Sequence, residues 1–154
     1  MRDFDPGLKS RIREAFEKPV TLWVKITPTG FLLEGEDSPI RDLEGRVIRV
    51  QLVRKLFRRG ALLCHSADGI RARNGTLCAH CLHPLCKPQL RIHLASPTLR
   101  CLLDLSGRSA DNFLALEAQF EAEKLDLVDQ VLRLTVADRG KWGEVRFDRV
   151  GGGP

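Results

Sequence analysis

The chain has 154 residues, of which 43% are hydrophobic and 29% charged, and a net charge of +5 at pH 7. That length suffices for one domain with a sizeable core and is too short for two ordinary ones. No run approaches the ~18 apolar residues of a membrane span and Met1-Arg2-Asp3-Phe4-Asp5 opens no signal-like apolar stretch, so the sequence predicts a cytoplasmic protein with reduced cysteines.

Asp5-Pro6 reads as an N-cap and first helical residue, and Leu8, Ile12, Ala15 and Phe16 recur at helical spacing. They predict an N-terminal helix to about Lys18 that covers an open end or edge of a sheet. From Val20 the period becomes two, with Leu22, Val24 and Ile26 on one face and Thr21, Trp23, Lys25 and Thr27 on the other. Pro28-Thr29-Gly30 turns the chain into a second strand at Phe31-Leu32-Leu33. The next strand runs from Arg46 to about Arg54, with Ile48, Val50 and Leu52 expected inside and Val47, Arg49, Gln51, Val53 and Lys55 outside. Leu90, Ile92 and Leu94 then alternate with polar residues, as do Leu99, Cys101, Leu103 and Leu105, which makes Cys101 a core residue. Ser106-Gly107-Arg108 reads as a turn and Ser109 as the cap of a helix to about Lys124, with Phe113, Leu116 and Phe120 as its buried stripe. Leu132, Leu134 and Val136 mark another strand, and Trp142 to Arg149 the last, with Val145 and Phe147 inward. Residues 151–154 read as a flexible tail.

Four of the five cysteines lie within 23 residues. Cys78 and Cys81 form a Cys-x-x-Cys knuckle, with Cys64 upstream and Cys86 downstream. Tetrahedral zinc takes four soft donors at about 2.3 Å, and a knuckle supplies two from one short loop. We therefore assign Cys64, Cys78, Cys81 and Cys86 to one structural Zn²⁺, in a loop of about 62–88 shaped by Gly69 and Gly75. Unliganded packed thiols, a redox pair and an iron–sulfur cluster are the alternatives. No Glu stands two residues after Cys64 or His65, where a nucleobase deaminase places its acid–base group, and no phosphate-cradling glycine loop is present. The sequence offers no catalytic constellation.

The charge is segregated. Between Arg46 and Arg100 lie 11 of the 25 Lys/Arg residues and one of the 20 Asp/Glu, Asp68. Such a field attracts polyanions, of which nucleic acid is the commonest in a cytoplasm. Trp23 and Trp142 sit on polar strand faces, where exposed rings can stack on bases. The expected contacts are thus Trp23, Lys25, Arg49, Lys55, Arg58, Arg59, Arg71, Arg73, Arg91 and Trp142.

Without the cysteine insertion, the order is strands, helix, then a two-strand hairpin. It is compatible with a mainly β, α+β single domain over 1–150, built as a small Greek-key barrel of the oligonucleotide/oligosaccharide-binding (OB) type. Cys64-x-Ser66-x-Asp68-Gly69, Cys78-Ala79-x-Cys81, Cys86 and Arg91-Ile92-His93-Leu94 resemble the core of zinc-containing single-stranded DNA-binding proteins of phages and mobile elements. Leu105-Ser106-x-x-Ser109-x-x-Asn112-Phe113 is similar to the segment that opens the helix in that family. The resemblance covers roughly Leu62 to Phe120, and only four residues separate Cys81 from Cys86, where the family carries a longer connection. It implies an OB-like barrel, a structural zinc loop and binding of single strands in replication or recombination, DNA ahead of RNA. A zinc-stapled adaptor that docks a protein partner or binds RNA is the other reading.

Overall fold

A computed structural model describes residues 20–58, 61–73, 75, 77, 86–97 and 99–152. The expected N-terminal helix, Arg59, Cys78 and Cys81 lie outside the described residues, as does the side chain of Arg58.

The strand that organises the rest is β3 (Asp42–Arg58), 17 residues long. At about 3.3 Å per residue it is far longer than an ordinary strand and takes different partners along its length. Asp42–Gly45 pairs with β7 (Gln130–Asp138), Arg46–Leu56 with β5 (Cys86–Ala95), and Arg54–Arg58 with β4 (Ala61–Ser66), all antiparallel. At Gly45, where the partner changes, a Cβ would stand 2.6 Å from the Ala95 carbonyl oxygen, so only glycine lets the strands cross so closely. Next to β5 lies β6 (Leu99–Leu105), which pairs in parallel with β1 (Val20–Thr27); β1 also forms a hairpin with β2 (Gly30–Leu33). At the other edge β7 pairs with β8 (Gly143–Gly152). The result is a mainly β protein with, among the described residues, one α-helix and a curled, half-barrel sheet ordered β2-β1-β6-β5-β3-β7-β8, with β4 off this path on β3. Among the described residues, no helix is long and apolar enough to cross a membrane.

The core lies where the curl closes. Val24, Phe31, Val47, Ile92, Leu94, Leu103, Leu105, Leu132, Leu134 and Val145 are buried there, and Cys101 joins them as the alternation predicts. The helix, α1 (Gly107–Ala122), seals it with Phe113 and Phe120, and Phe113 meets Phe147 edge-on at 5.5 Å. Each fully buried ring of this kind contributes about 2–3 kcal/mol by area.

Three local expectations need correction. First, the helix begins at Gly107, inside the expected turn, and Ser109 is not its cap: its buried Oγ accepts a hydrogen bond from the Val145 N–H at 2.8 Å, tying α1 to β8. Second, Gly151 pairs with Val131 and Gly152 with Gln130, so β8 continues into the stretch expected to be a tail. Third, Ile48, Val50 and Leu52 are 43%, 40% and 45% exposed, whereas Val47 and Val53 are buried. A bulge between Val47 and Arg49 breaks the alternation. Beyond it Val50 and Leu52 still share the core face with Ile92 and Leu90, but among the described residues no strand pairs with β3 between Arg46 and Val53 on the side opposite β5.

Candidate nucleic-acid interface and cysteine loop

Because opposed residues in a sheet project to one face, the register assigns the outer face residue by residue. One row across the strands reads Arg49, His93, Leu102, Trp23. A second reads Gln51, Arg91, Asp104, and a third Arg46, Ala95, Arg100, Thr21. Lys55 and Lys87 oppose each other beyond Gln51, with His65 of β4 next to Lys55. Alternation along β1 puts Lys25 on the face of Trp23. Of the expected contacts, Trp23, Lys25, Arg49, Lys55 and Arg91 therefore share one surface. Arg46, Lys87 and Arg100 join them; each lies in the basic segment, and Lys87 alternates in phase with Arg91, a signal present in the sequence, whereas Arg46 reaches this face only through the bulge between Val47 and Arg49 and Arg100 only through its pairing with Ala95.

At the centre, Trp23 is 43% exposed. The guanidinium carbon of Arg91 lies 4.7 Å from its ring centroid and the Lys55 ammonium 5.9 Å, both within cation–π range. Asp104 holds the two cations in place. Arg91 Nε donates to its Oδ1 at 2.9 Å and Nη2 to its Oδ2 at 3.2 Å, while Lys55 Nζ donates to the same Oδ2. Burial pushes the Asp104 carboxyl up, but the hydrogen bonds from Arg91 and Lys55 outweigh it and leave the group below its ordinary range. The sequence pattern does not single out Asp104; its signal is that of an acid inside an apolar strand, directly opposite Arg91. His93 Nε2 lies 2.7 Å from Gln51 Oε1. Burial first, then Arg49 and Arg91, push its pKa down.

Trp142 lies in the turn between β7 and β8 rather than within the last strand, and is 45% exposed. Its carbonyl accepts from Arg139 N–H at 3.0 Å. The turn is anchored by Glu144, a buried carboxylate that accepts from Arg146 Nε at 3.2 Å, Arg139 Nη2 at 3.3 Å and Asn112 of α1 at 3.3 Å. Hydrogen bonding to Arg146 above all holds its pKa down. Trp142 and Trp23 line one cleft of about 820 Å³, together with Lys25, Lys55, Glu34, Glu36, Gln89 and Asp104.

The cysteine loop occupies the opposite face. Cys64 of β4 and Cys86 of β5 are both register partners of Leu56, so they flank one buried residue on one side of the sheet. Neither is disulfide-bonded. Between them the chain folds back through a turn built on Ser66 and Asp68. Ser66 Oγ accepts from Gly69 N–H at 3.0 Å and lies 2.8 Å from the Arg71 carbonyl oxygen, while Asp68 Oδ1 accepts from Ile70 and Arg71 N–H at 2.8 and 3.0 Å. Those bonds, led by the one from Arg71, lower the Asp68 pKa. Gly69 has a φ of +73°, and a Cβ there would strike Leu52 Cδ2 at 2.8 Å, which places the loop on the face that carries Leu52 and Leu56. Arg71 then bridges to Leu77, the residue before Cys78. Arg71 donates to the Gly75 carbonyl at 2.9 Å and Arg73 N–H to the His65 carbonyl at 2.8 Å, so both belong to this loop and not to the outer-face rows. Among the described residues no three metal-ligating side chains come together; Cys78 and Cys81 are not among those residues. In chemistry the donors suit a soft metal, and the two described ones, Cys64 and Cys86, are unpaired thiols on one face of the sheet.

Comparison of the chain with protein-family models, with curated proteins and with solved structures finds no match.

Proposed function

We propose that this protein binds single-stranded nucleic acid, DNA ahead of RNA, on the outer face of β1, β6, β5 and β3, and that one Zn²⁺ staples the opposite side. The observation that carries the reading is the register itself. It gathers an exposed tryptophan and the cations Lys25, Arg46, Arg49, Lys55, Lys87, Arg91 and Arg100 on one surface, with Asp104 seated between Arg91 and Lys55. Single strands are gripped by this combination, cations following the phosphates and rings stacking on splayed bases. The sequence of β3, β5, β6, α1, β7 and β8 supports an OB-like Greek-key barrel, to which the β1–β2 hairpin adds alongside β6.

Cys64 and Cys86 would hold the metal with Cys78 and Cys81. A zinc site of this kind is structural: it closes a loop that has little core of its own. Titrating the protein with a labelled oligonucleotide, single-stranded and then duplex, at two salt concentrations tests the reading. Tighter binding of the single strand, weakened by salt, is the expected result. Equal affinity for both forms, or no binding at low salt, transfers the assignment to a docking adaptor, for which the exposed Ile48, Val50 and Leu52 speak.

A further inference from the structure

The cleft shared by the two tryptophans differs in charge from the surface around it. Its ionisable lining is Lys25 and Lys55 against Glu34, Glu36 and Asp104. Lys55 is already committed to Asp104, and Glu34 uses one oxygen on the Trp23 backbone N–H at 3.2 Å. A phosphate entering here would meet excess carboxylate, so the backbone of a bound strand belongs outside, along Arg49, Arg91 and Arg100. A cationic ligand fares no better, because Arg91 and Lys55 already lie over the Trp23 ring. A flat, uncharged ring that carries N–H donors meets neither objection: it stacks on indole and donates to carboxylate. The volume of about 820 Å³ falls within the range of small-molecule pockets.

Resting on the single-strand reading, we infer that this cleft is a nucleobase pocket that favours bases with an exocyclic amino group, cytosine over thymine. The acceptors decide the preference. The Asp104 carboxylate has about four lone-pair sites, of which Arg91 and Lys55 fill three. Glu36 adds a second acceptor-only group. Gln89 also lines the cleft, and its buried Oε1 accepts no hydrogen bond among the described residues. Rotation about its soft terminal torsion presents that oxygen to a ligand. Cytosine offers such a wall an N4 amino group, whereas thymine presents two carbonyl oxygens and a single N–H. Thymine O4 facing a carboxylate is repelled and, when buried, left unpaired. The strand is thereby oriented as well, bases inward to the acidic cleft and phosphates outward to the cations.

The test is quenching of tryptophan fluorescence by oligodeoxycytidine and oligodeoxythymidine of about 12 nucleotides, within the ~4–16 that one such module spans. At matched pH and salt the cytosine strand should bind about fivefold tighter, the worth of one hydrogen bond. The ratio of the two affinities is the readout, since changes in overall charge act on both strands alike. Asp104→Asn, whose amide offers a donor as well as an acceptor, should bring the ratio towards one. Glu36→Gln, at an exposed position, should lower it too, and retained thymidine binding shows that the face is intact. A wild-type ratio of one, or a preference for thymidine, overturns the inference and leaves the single-strand reading standing. If neither strand binds, both fall.

Discussion

Arg91 and Trp23, two strands apart in the sheet, are locked together: the guanidinium lies 4.7 Å from the indole centroid while Asp104 grips its other edge. The ring is thus held from the side of the sheet yet remains 43% exposed. A stacking residue that is rigid before its ligand arrives loses less side-chain entropy on binding. Trp23→Ala should weaken single-strand affinity by about 1–3 kcal/mol while leaving the salt slope nearly unchanged, because stacking releases few counterions. Filter binding over a salt series measures both quantities.

Reversing Arg49 and Arg100 should act on the other term. Neither guanidinium has a carboxylate within ion-pair distance among the described residues. Each phosphate that the protein no longer neutralises should flatten the slope of log affinity against log salt by about 0.7. Arg91→Ala should do both at once, since the same group lies over the ring and in the basic row. Unchanged slopes in the Arg49→Glu, Arg100→Glu double variant would remove these residues from the path.

Metal content separates the cysteines. Elemental analysis should find about one Zn²⁺ per chain, and Cys64→Ser or Cys86→Ser should lower both zinc and melting temperature. Cys101→Ala should keep the metal and cost about 1 kcal/mol of packing, because that thiol lies in the core, where burial pushes its pKa up. Zinc missing from the Cys101 variant would overturn the ligand assignment.

Glu144 bears on the second tryptophan. Glu144→Gln keeps the shape but removes the charge that Arg139 and Arg146 share. The turn that carries Trp142 should loosen, shifting its fluorescence and weakening single-strand binding in the same direction as Trp142→Ala, with Trp23 unaffected. An unaltered emission spectrum would show that the turn holds without it.

Binding should also take up protons. His93 is flanked by Arg49 and Arg91, with Asp104 nearby, and its pKa lies below the ordinary ~6.5. As the unfolded chain protonates first, this residue removes stability as pH falls through ~6.5 towards the depressed value. A polyanion over the face reverses the balance by favouring the imidazolium. Single-strand affinity should therefore rise as pH drops below about 6.5, and the rise should shrink in His93→Gln.

How much of this is legible in the chain depends on where each signal lives. Leu90, Ile92 and Leu94 declare their strand because one face is buried and the other wet, and the same alternation places Cys101 inside. The concentration of cations between Arg46 and Arg100 is equally plain without the fold. Ile48 misleads because a bulge is a decision of the pairing, not of local pattern, and Val50 because it keeps the core face while no described strand pairs along its flank. Ser109 looks like a cap since its hydroxyl suits one, but its partner, Val145, arrives from 36 residues away. Asp104 gives no signal by itself because its meaning lies in the strands beside it. The cleft cannot be read at all, as Trp23, Glu36 and Trp142 meet only after the sheet curls.

The parallel pairing of β1 with β6 has a consequence for synthesis. Val20 aligns with Leu99, and Trp23 with Leu102. A chain emerging from the ribosome at ~5–20 residues per second must therefore carry β1 without its partner for about 4–16 s, and a two-strand hairpin is marginal alone. During that interval the future binding strand, with its tryptophan and apolar Leu22, Val24 and Ile26, is an unprotected edge open to chaperones or to other nascent chains. Such non-local closure also makes for slow folding, since the sheet cannot close on β1 before Leu99–Leu105 has arrived.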